Sequence, residues 1–484
     1  MEDYKGLLNP IKLFRGLQIL ADELEIPTYA VGGFVRDQFL DRDCKDIDIV
    51  CVGDSIALAK AFARQHNHAK VTIFKQFGTA MVRWQDFQVE FVSARKESYQ
   101  RDSRKPKVVA GSLEDDILRR DFTVNALAIK LNKDGFGTLI DLCGGIKDLQ
   151  AGVIRTPLAP LRTFSDDPLR MFRGVRFARQ LDFALVPEVV AAIQKEAHRV
   201  EILSKERIIT ELNKILMTKR PSKGLALLDQ VGLLGLVLPE MMDLKGVSKI
   251  NGKSHKDNFL HTLQVVENVA KILDGPTHPK YLWLIWAAIL HDIAKPATKR
   301  FDPKLGFTFH GHEKLGAKMV PRIFKRLGLP MGAEMRYVKK LIWMHLRHIP
   351  LVEQDVTAGA IRRFIHDAGN ELEDLLVLCR ADITSKNERK VAHYLANFDK
   401  LAKKIAEVEA SDKIRNMKLA IDGQMIMQTF GLRPCAQVGK IKEAIKEAVL
   451  RGDIPNEHKA AYAYMLAYAK NLDLLPVQHG GENV

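Results

Sequence analysis

A chain of 484 residues exceeds what one hydrophobic core can serve and calls for two to four domains. Hydrophobic residues at 46% and charged residues at 27% exclude a disordered or fibrous chain, and the longest apolar run, Tyr281–Leu290, is too short to cross a bilayer. Lysine and arginine outnumber acidic residues 74 to 59, a net +15 that suits a polyanionic partner without specifying one. The opening Met1-Glu2-Asp3-Tyr4-Lys5 lacks the basic-then-apolar order of a secretory signal, so the protein is expected in the cytosol. Cys44, Cys51, Cys143, Cys379 and Cys435 form no C-x-x-C pair, which excludes a zinc ribbon; all five are expected to be reduced core residues.

Residues 1–22 carry a helical pattern. From Thr28 to about Leu142, β-rich runs (Asp48–Val52, Val71–Phe74, Ala80–Trp84, Phe87–Ser93, Leu127–Leu131) alternate with helical stretches. Strand signals fade after Asp148. Asp167–Arg179 has helical spacing, with Leu169, Phe172, Val175 and Phe177 apolar and arginines between them, and nearly everything beyond reads as helix. The fold class is α+β: an α/β head over 1–147, a helical neck over 148–244, a helical domain over 245–395 and a helical tail over 396–484.

In Tyr29-Ala-Val-Gly32-Gly33-Phe-Val-Arg36-Asp37, two glycines follow an apolar strand and precede a helix. Such a turn lets backbone N–H groups approach a phosphate, although a plain tight turn has the same pattern. Asp46-Ile47-Asp48-Ile49-Val50 alternates on a strand, so both carboxylates share one face and suit Mg²⁺. Glu90, an acid within the apolar run Phe87–Val92, is a third candidate, or else a solvent-facing residue of an edge strand.

Gly-Gly-x-Val-Arg-Asp, Asp-x-Asp, Arg119-Arg120-Asp121-Phe-Thr-Val-Asn125 and Asp167-Pro-Leu-Arg170-Met-Phe-Arg173-Gly-Val-Arg176 occur in that order. The series resembles class II tRNA nucleotidyltransferases and the related bacterial poly(A) polymerases. The resemblance implies that Asp46 and Asp48 hold catalytic Mg²⁺ with Glu90 as third acid. It also implies a nucleotide site drawn from Gly32, Gly33, Arg36, Arg120, Asp121, Asn125, Asp167, Arg170, Arg173 and Arg176. Within it, Gly33, Arg36 and Arg120 would contact the triphosphate, and Arg173 and Arg176 would suit phosphates. Asp167 and Arg170 would stand in for a template: a carboxylate accepts from the exocyclic amine of C or A and opposes the carbonyl of U or G. Three apart on one helix, the two would point into one cleft. The family has Glu where this chain has Asp166. Arg207 and Glu211 resemble a later family motif, and an ordinary salt bridge explains them equally well.

His261, His291-Asp292-Ile-Ala-Lys-Pro and Asp382, all in helical stretches, resemble the HD phosphohydrolase superfamily. They imply a divalent metal, with His312 and His345 as ligands of a second ion or as hydrogen-bonded histidines. His255, His310 and His348 carry no role. In the tail, Phe430–Ile441 resembles the class II C-terminal segment, and Gly439, Lys440 and Lys442 could offer a helix N-terminus to RNA. The family's Pro-Gly-Pro is Pro434-Cys435-Ala436 here.

The implied activity is template-independent addition of C, C and A to the tRNA 3′ end from CTP and ATP, with phosphohydrolase chemistry alongside. The polar segment Lys96–Val109 resembles the loop of full CCA-adding enzymes. The rivals are a poly(A) polymerase and an HD phosphohydrolase with a non-catalytic RNA-binding head.

Overall fold

A computed structural model describes residues 6, 8, 11–66, 69–75, 78–100, 103–352, 356–385, 387–412 and 417–477. The chain forms two compact units, Met1–Asp243 and Leu244–Val484. Among the described residues, no helix is long and apolar enough to cross a membrane.

The first unit opens with the helix Ile11–Glu23, followed by the strands β1 (Thr28–Val31), β2 (Asp46–Cys51), β3 (Lys70–Phe74), β4 (Thr79–Trp84), β5 (Phe87–Ser93), β6 (Arg95–Gln100), β7 (Ser103–Ala110), β8 (Ala128–Lys130) and β9 (Leu139–Ile140), and farther along by a short parallel pair, β10 (Val153–Ile154) with β11 (Ala184–Leu185). Seven make one sheet in the order β3-β4-β5-β2-β1-β8-β9. The β2–β5 pair is parallel, with Asp48 opposite Glu90 and Asp46 opposite Gln88; the other pairings of this sheet are antiparallel. Alternation decides the faces. Ile47, Ile49, Val89 and Phe91 are fully buried, which turns Asp46, Asp48 and Glu90 to the opposite face. The helix Ser55–Gln65, capped by Asp54 accepting from the Ile56 and Ala57 N–H groups, packs Phe62 on Phe91 at 5.8 Å between ring centroids.

The segment Lys96–Val109, expected as a polar loop, is instead the antiparallel pair β6–β7. Its tip residues 101–102 lie outside the described residues, as do the side chains of 98–107. The basic and polar residues there obscured the period-2 pattern on which the strand assignment relied.

Short helices complete this unit. Asp167 was expected on a helix with Arg170, but the helix breaks there. Pro160–Asp166 ends at Asp167, whose backbone is extended (φ −138°, ψ 104°), and a new helix runs Leu169–Gln180. Pro168 is the cause: its ring disfavours the helical conformation of the preceding residue, and it has no N–H to continue the ladder. Leu169–Gln180 buries Met171, Phe172, Val175, Phe177 and Ala178. Truncating the fully buried Phe172 to Ala should cost about 3–5 kcal/mol.

The second unit is helical, with two-stranded hairpins at Lys249–Ser254 and Arg300–Thr308. The helix Tyr281–Leu290 is apolar nearly all round; Leu284 to Leu290 are fully buried. It is a core element, in contact with the helices Asn258–Ile272, Ala333–Met344 and Leu372–Asp382. Farther along, Gly423–Phe430, Ala436–Arg451 and His458–Lys470 enclose a separate core of Ile426, Phe430, Ile441, Ile445 and Met465. Gly439 falls within the first turn of Ala436–Arg451. Cys435 precedes that helix and is exposed, and Cys44 and Cys143 are half-buried, contrary to the core position expected for all five cysteines; Cys51 and Cys379 are buried, and all five are free.

Candidate functional site

In the first unit the acids sit beside the glycine turn. Gly32 has φ +76° and ψ −134°, a conformation only glycine adopts readily. A Cβ there would lie 2.8 Å from Arg120 Nη1 and 3.4 Å from Asp48 Oδ2, so turn, guanidinium and carboxylate are pressed together. Burial pushes Asp48 above the usual carboxylate range against the pull of Arg120. Burial raises Glu90 as well, reinforced by Asp48 and Asp46. Acids that resist ionising together are where a cation is most stabilising, so the donor set fits a divalent metal. The trio is open: among the described residues, the groups of three or more ligand atoms within 4.8 Å of one another lie in the second unit.

Arg36 does not reach the surface. Its guanidinium donates to both carboxylate oxygens of Asp37 at 2.8 Å and to Asn125 Oδ1 at 2.5 Å, and its side chain is 4% exposed. The Asn125 amide donates onward to Asp121 (3.1 Å), which also accepts from Arg173 Nε at 2.6 Å. Although burial opposes it, Arg173 and Asn125 hold Asp121 below its ordinary value. Arg36, Arg173 and Arg176 all lie over the Phe177 ring, at 5.2, 5.3 and 4.1 Å from its centroid. Arg176 is not part of a solvated face, because it donates to buried Glu211 at 2.7 Å. This network braces the helix Leu169–Gln180 against the helix Gly33–Phe39 that follows the glycine turn.

Asp167 and Arg170 have different partners. Asp167 Oδ1 accepts from the Leu169 N–H at 3.1 Å, and Oδ2 accepts from Arg207 at 2.9 Å. Arg170 donates to the Arg119 carbonyl at 2.7 Å and the Thr163 carbonyl at 3.5 Å. Arg207 and Glu211 therefore belong to two separate pairs, with Asp167 and Arg176. Sequence reading passed over Asp116, which is fully buried and accepts from both Arg119 and Arg120. Its offsets of three and four from those arginines were the available signal.

The second unit gathers six expected residues at one point. Asp292 lies within 3.3 Å of His261, 3.1 Å of His291 and 3.2 Å of His312, and Asp382 within 3.0 Å of His261. The Nδ1 atoms of His291, His312 and His345 each face the backbone carbonyl three residues earlier, at 2.8, 2.6 and 2.6 Å. A carbonyl only accepts, so Nδ1 carries the proton in the neutral ring and Nε2 turns its lone pair inward. His345 Nε2, His312 Nε2 and Asp292 Oδ2 are buried without an aligned hydrogen bond, although Lys295 Nζ lies 2.5 Å from Asp292. Burial opposes charge on His291, yet Asp292 and Asp382 hold its pKa at about 10; the same field would favour any cation. Burial lowers His345 to about 4, leaving it a neutral donor. His261, His291 and Asp292 form one ligand group, and Asp292, His312 and His345 a second. The donor set fits two ions sharing Asp292. Thr384, which meets His261 Nδ1 at 2.9 Å, was not foreseen. His255, His310 and His348 are not among these groups.

Three family models match the chain: a poly A polymerase head domain over residues 28–155, a probable RNA and SrmB-binding site of polymerase A over 182–244, and an HD domain over 258–387. The chain is 31% identical over 443 residues to the A-adding tRNA nucleotidyltransferase of Deinococcus radiodurans, covering 89% of this chain and 93% of that one. It is 30% identical over 442 residues to the CC-adding tRNA nucleotidyltransferase of Thermus thermophilus, covering 89% and 92%. Its fold resembles that of a CCA-adding enzyme solved with ATP, at a TM-score of 0.65, 23% identity and coverage of 97% and 99%.

Proposed function

Since the chain belongs to the tRNA nucleotidyltransferase family and is an enzyme of that class, we propose that it extends the tRNA 3′ end with C, C and A drawn from CTP and ATP. The observation that carries this reading is the crowding of Gly32, Arg120 and Asp48 beside Glu90 on the parallel neighbouring strand.

Asp46, Asp48 and Glu90 would hold Mg²⁺, which when bound activates the 3′-hydroxyl and neutralises the departing pyrophosphate. Arg120, held beside the turn, meets the triphosphate. Arg36, Asp121 and Asn125 act from behind, as a buried brace rather than as phosphate contacts. Asp167 keeps lone pairs beyond the two it gives to Leu169 and Arg207, and these accept the amine of C or A. A carbonyl of U or G sets an acceptor against those remaining lone pairs in place of a donor, a loss of typically about 1–3 kcal/mol. Arg170 supplies the donor to ring acceptors. In the second unit, His261, His291, Asp292 and Asp382, with His312 and His345, form a metal-dependent phosphohydrolase centre whose metal identity is open.

The Deinococcus relative supports a second reading, addition of the terminal A alone. The two separate on labelled CTP and ATP with tRNA ending at the discriminator base or at CC. Incorporation of C onto the first substrate supports the CCA reading. ATP use confined to the CC-ended substrate supports the A-adding reading. A long A run supports a poly(A) polymerase, and no incorporation leaves only the phosphohydrolase.

A further inference from the structure

One fully buried acid in the first unit takes no part in the chemistry above, yet it touches both halves of the nucleotide site. Asp116, in the short helix Leu113–Leu118, divides its carboxylate between consecutive arginines. Oδ2 accepts from Arg120 Nε and Nη2 at 3.2 and 3.1 Å, and Oδ1 accepts from Arg119 Nε at 2.9 Å and also from Arg119 Nη2. Gripped side-on, Arg120 is left with Nη1, which donates to the Asn125 carbonyl at 3.3 Å and lies against Gly32. Arg119, fixed by Asp116 on one side and by Glu97 of β6 at 3.2 Å on the other, offers its main-chain carbonyl to Arg170 at 2.7 Å. The path from Asp116 thus branches: through one oxygen to the guanidinium at the glycine turn, through the other to the guanidinium beside Asp167.

We infer that Asp116 is a positioning residue that sets the triphosphate arm and the base-reading arm together, so that a single substitution loosens nucleotide affinity and base choice at once. The inference rests on the reading of Arg120 as a triphosphate contact and Arg170 as a base donor. Without the carboxylate, two adjacent guanidiniums lose their common anchor and repel. Arg120 then swings from the turn, and the Arg119 peptide no longer presents its carbonyl in one place. A carboxylate with a merely structural role would lower the melting temperature and the amount of active enzyme, leaving KM and the preference among nucleotides where they were.

The test uses the full-length protein, tRNA ending at the discriminator base, and steady-state addition of each of the four nucleotides. Asp116→Asn keeps the shape and removes the charge; KM for CTP should rise about tenfold, and the kcat/KM ratio of UTP to CTP should rise about tenfold in the same variant. Arg120→Ala should raise KM for CTP without moving the UTP-to-CTP ratio, and Arg170→Ala should move that ratio. If Asp116→Asn melts cooperatively and shifts neither quantity, or only one, the inference is wrong. If Asp116→Asn does not fold, Asp116→Glu, which keeps the charge on a longer arm, must show the same double shift. Wild-type kinetics in that variant, or failure of both to fold, overturns the inference. If Arg120→Ala and Arg170→Ala leave their own quantities unchanged, the reading of those two arginines has failed, not the link between them.

Discussion

Gly32→Ala tests the glycine turn by separating backbone strain from crowding. The residue sits at φ +76° and ψ −134°, where an alanine costs about 1–3 kcal/mol. For a unit of this size that lowers the melting temperature by roughly 2–12 °C. Crowding adds a second effect, because the new Cβ would lie 2.8 Å from Arg120 Nη1, a contact that forces the guanidinium away. Displacing a positioned charge by about 1 Å can cost on the order of a hundredfold in rate. The control is Gly144→Ala: its φ is +73°, but nothing lies within 4 Å of its Cβ position. It should share a stability loss of about 1–2 kcal/mol and keep its activity. Initial rates of CTP addition to tRNA lacking CCA, with melting curves by circular dichroism, read both effects. If Gly32→Ala is destabilised like Gly144→Ala yet adds CTP at the wild-type rate, Arg120 is not the triphosphate contact.

Other outcomes follow from the same geometry. Asp46→Ala or Asp48→Ala should abolish Mg²⁺-dependent addition while circular dichroism and tRNA binding stay near normal, since nothing nearby replaces a lost metal ligand; near-normal rates would remove this pair from the site. His291→Ala combined with Asp292→Ala should remove phosphatase or cyclic phosphodiesterase activity and spare nucleotide addition. Parallel loss of addition in a folded protein would make this centre structural. In a background where Asp46→Ala and Asp48→Ala disable the metal site of the first unit, His312→Ala should reduce bound Mn²⁺ from two ions per chain to one by titration calorimetry, and an unchanged stoichiometry would count against the shared Asp292.

The strands β2, β4 and β5 and the helices of the second unit were legible because apolar spacing reports burial directly, as at Ile47 and Ile49 or along Tyr281–Leu290. The hairpin β6–β7 was not, since its basic residues hide the alternation on which a strand is recognised. Pro168 was in plain view, and giving its effect on Asp167 due weight would have separated that residue from the Arg170 helix. The ordered motifs single out candidate residues, but their partners were not readable. No spacing rule pairs Asp167 with Arg207, forty positions away, or carries Arg36 inward to Asn125. Long-range ion pairs depend on how helices pack, and packing is set by the whole core rather than by local pattern. The convergence of His261, His312 and His345 on Asp292 is of the same kind.

The central claim is selection of C and A by a protein carboxylate without a template, and Asp167→Ala tests it most directly. The measurement is kcat/KM for all four nucleotides on tRNA ending at the discriminator base, in wild-type and variant protein. The account predicts that UTP and GTP gain on CTP and ATP by roughly a hundredfold, because the penalty of a base carbonyl facing the remaining lone pairs of the carboxylate disappears. If Asp167 only anchors Arg207, the variant will lose CTP and ATP use with no gain for UTP, and an unchanged UTP-to-CTP ratio contradicts the account.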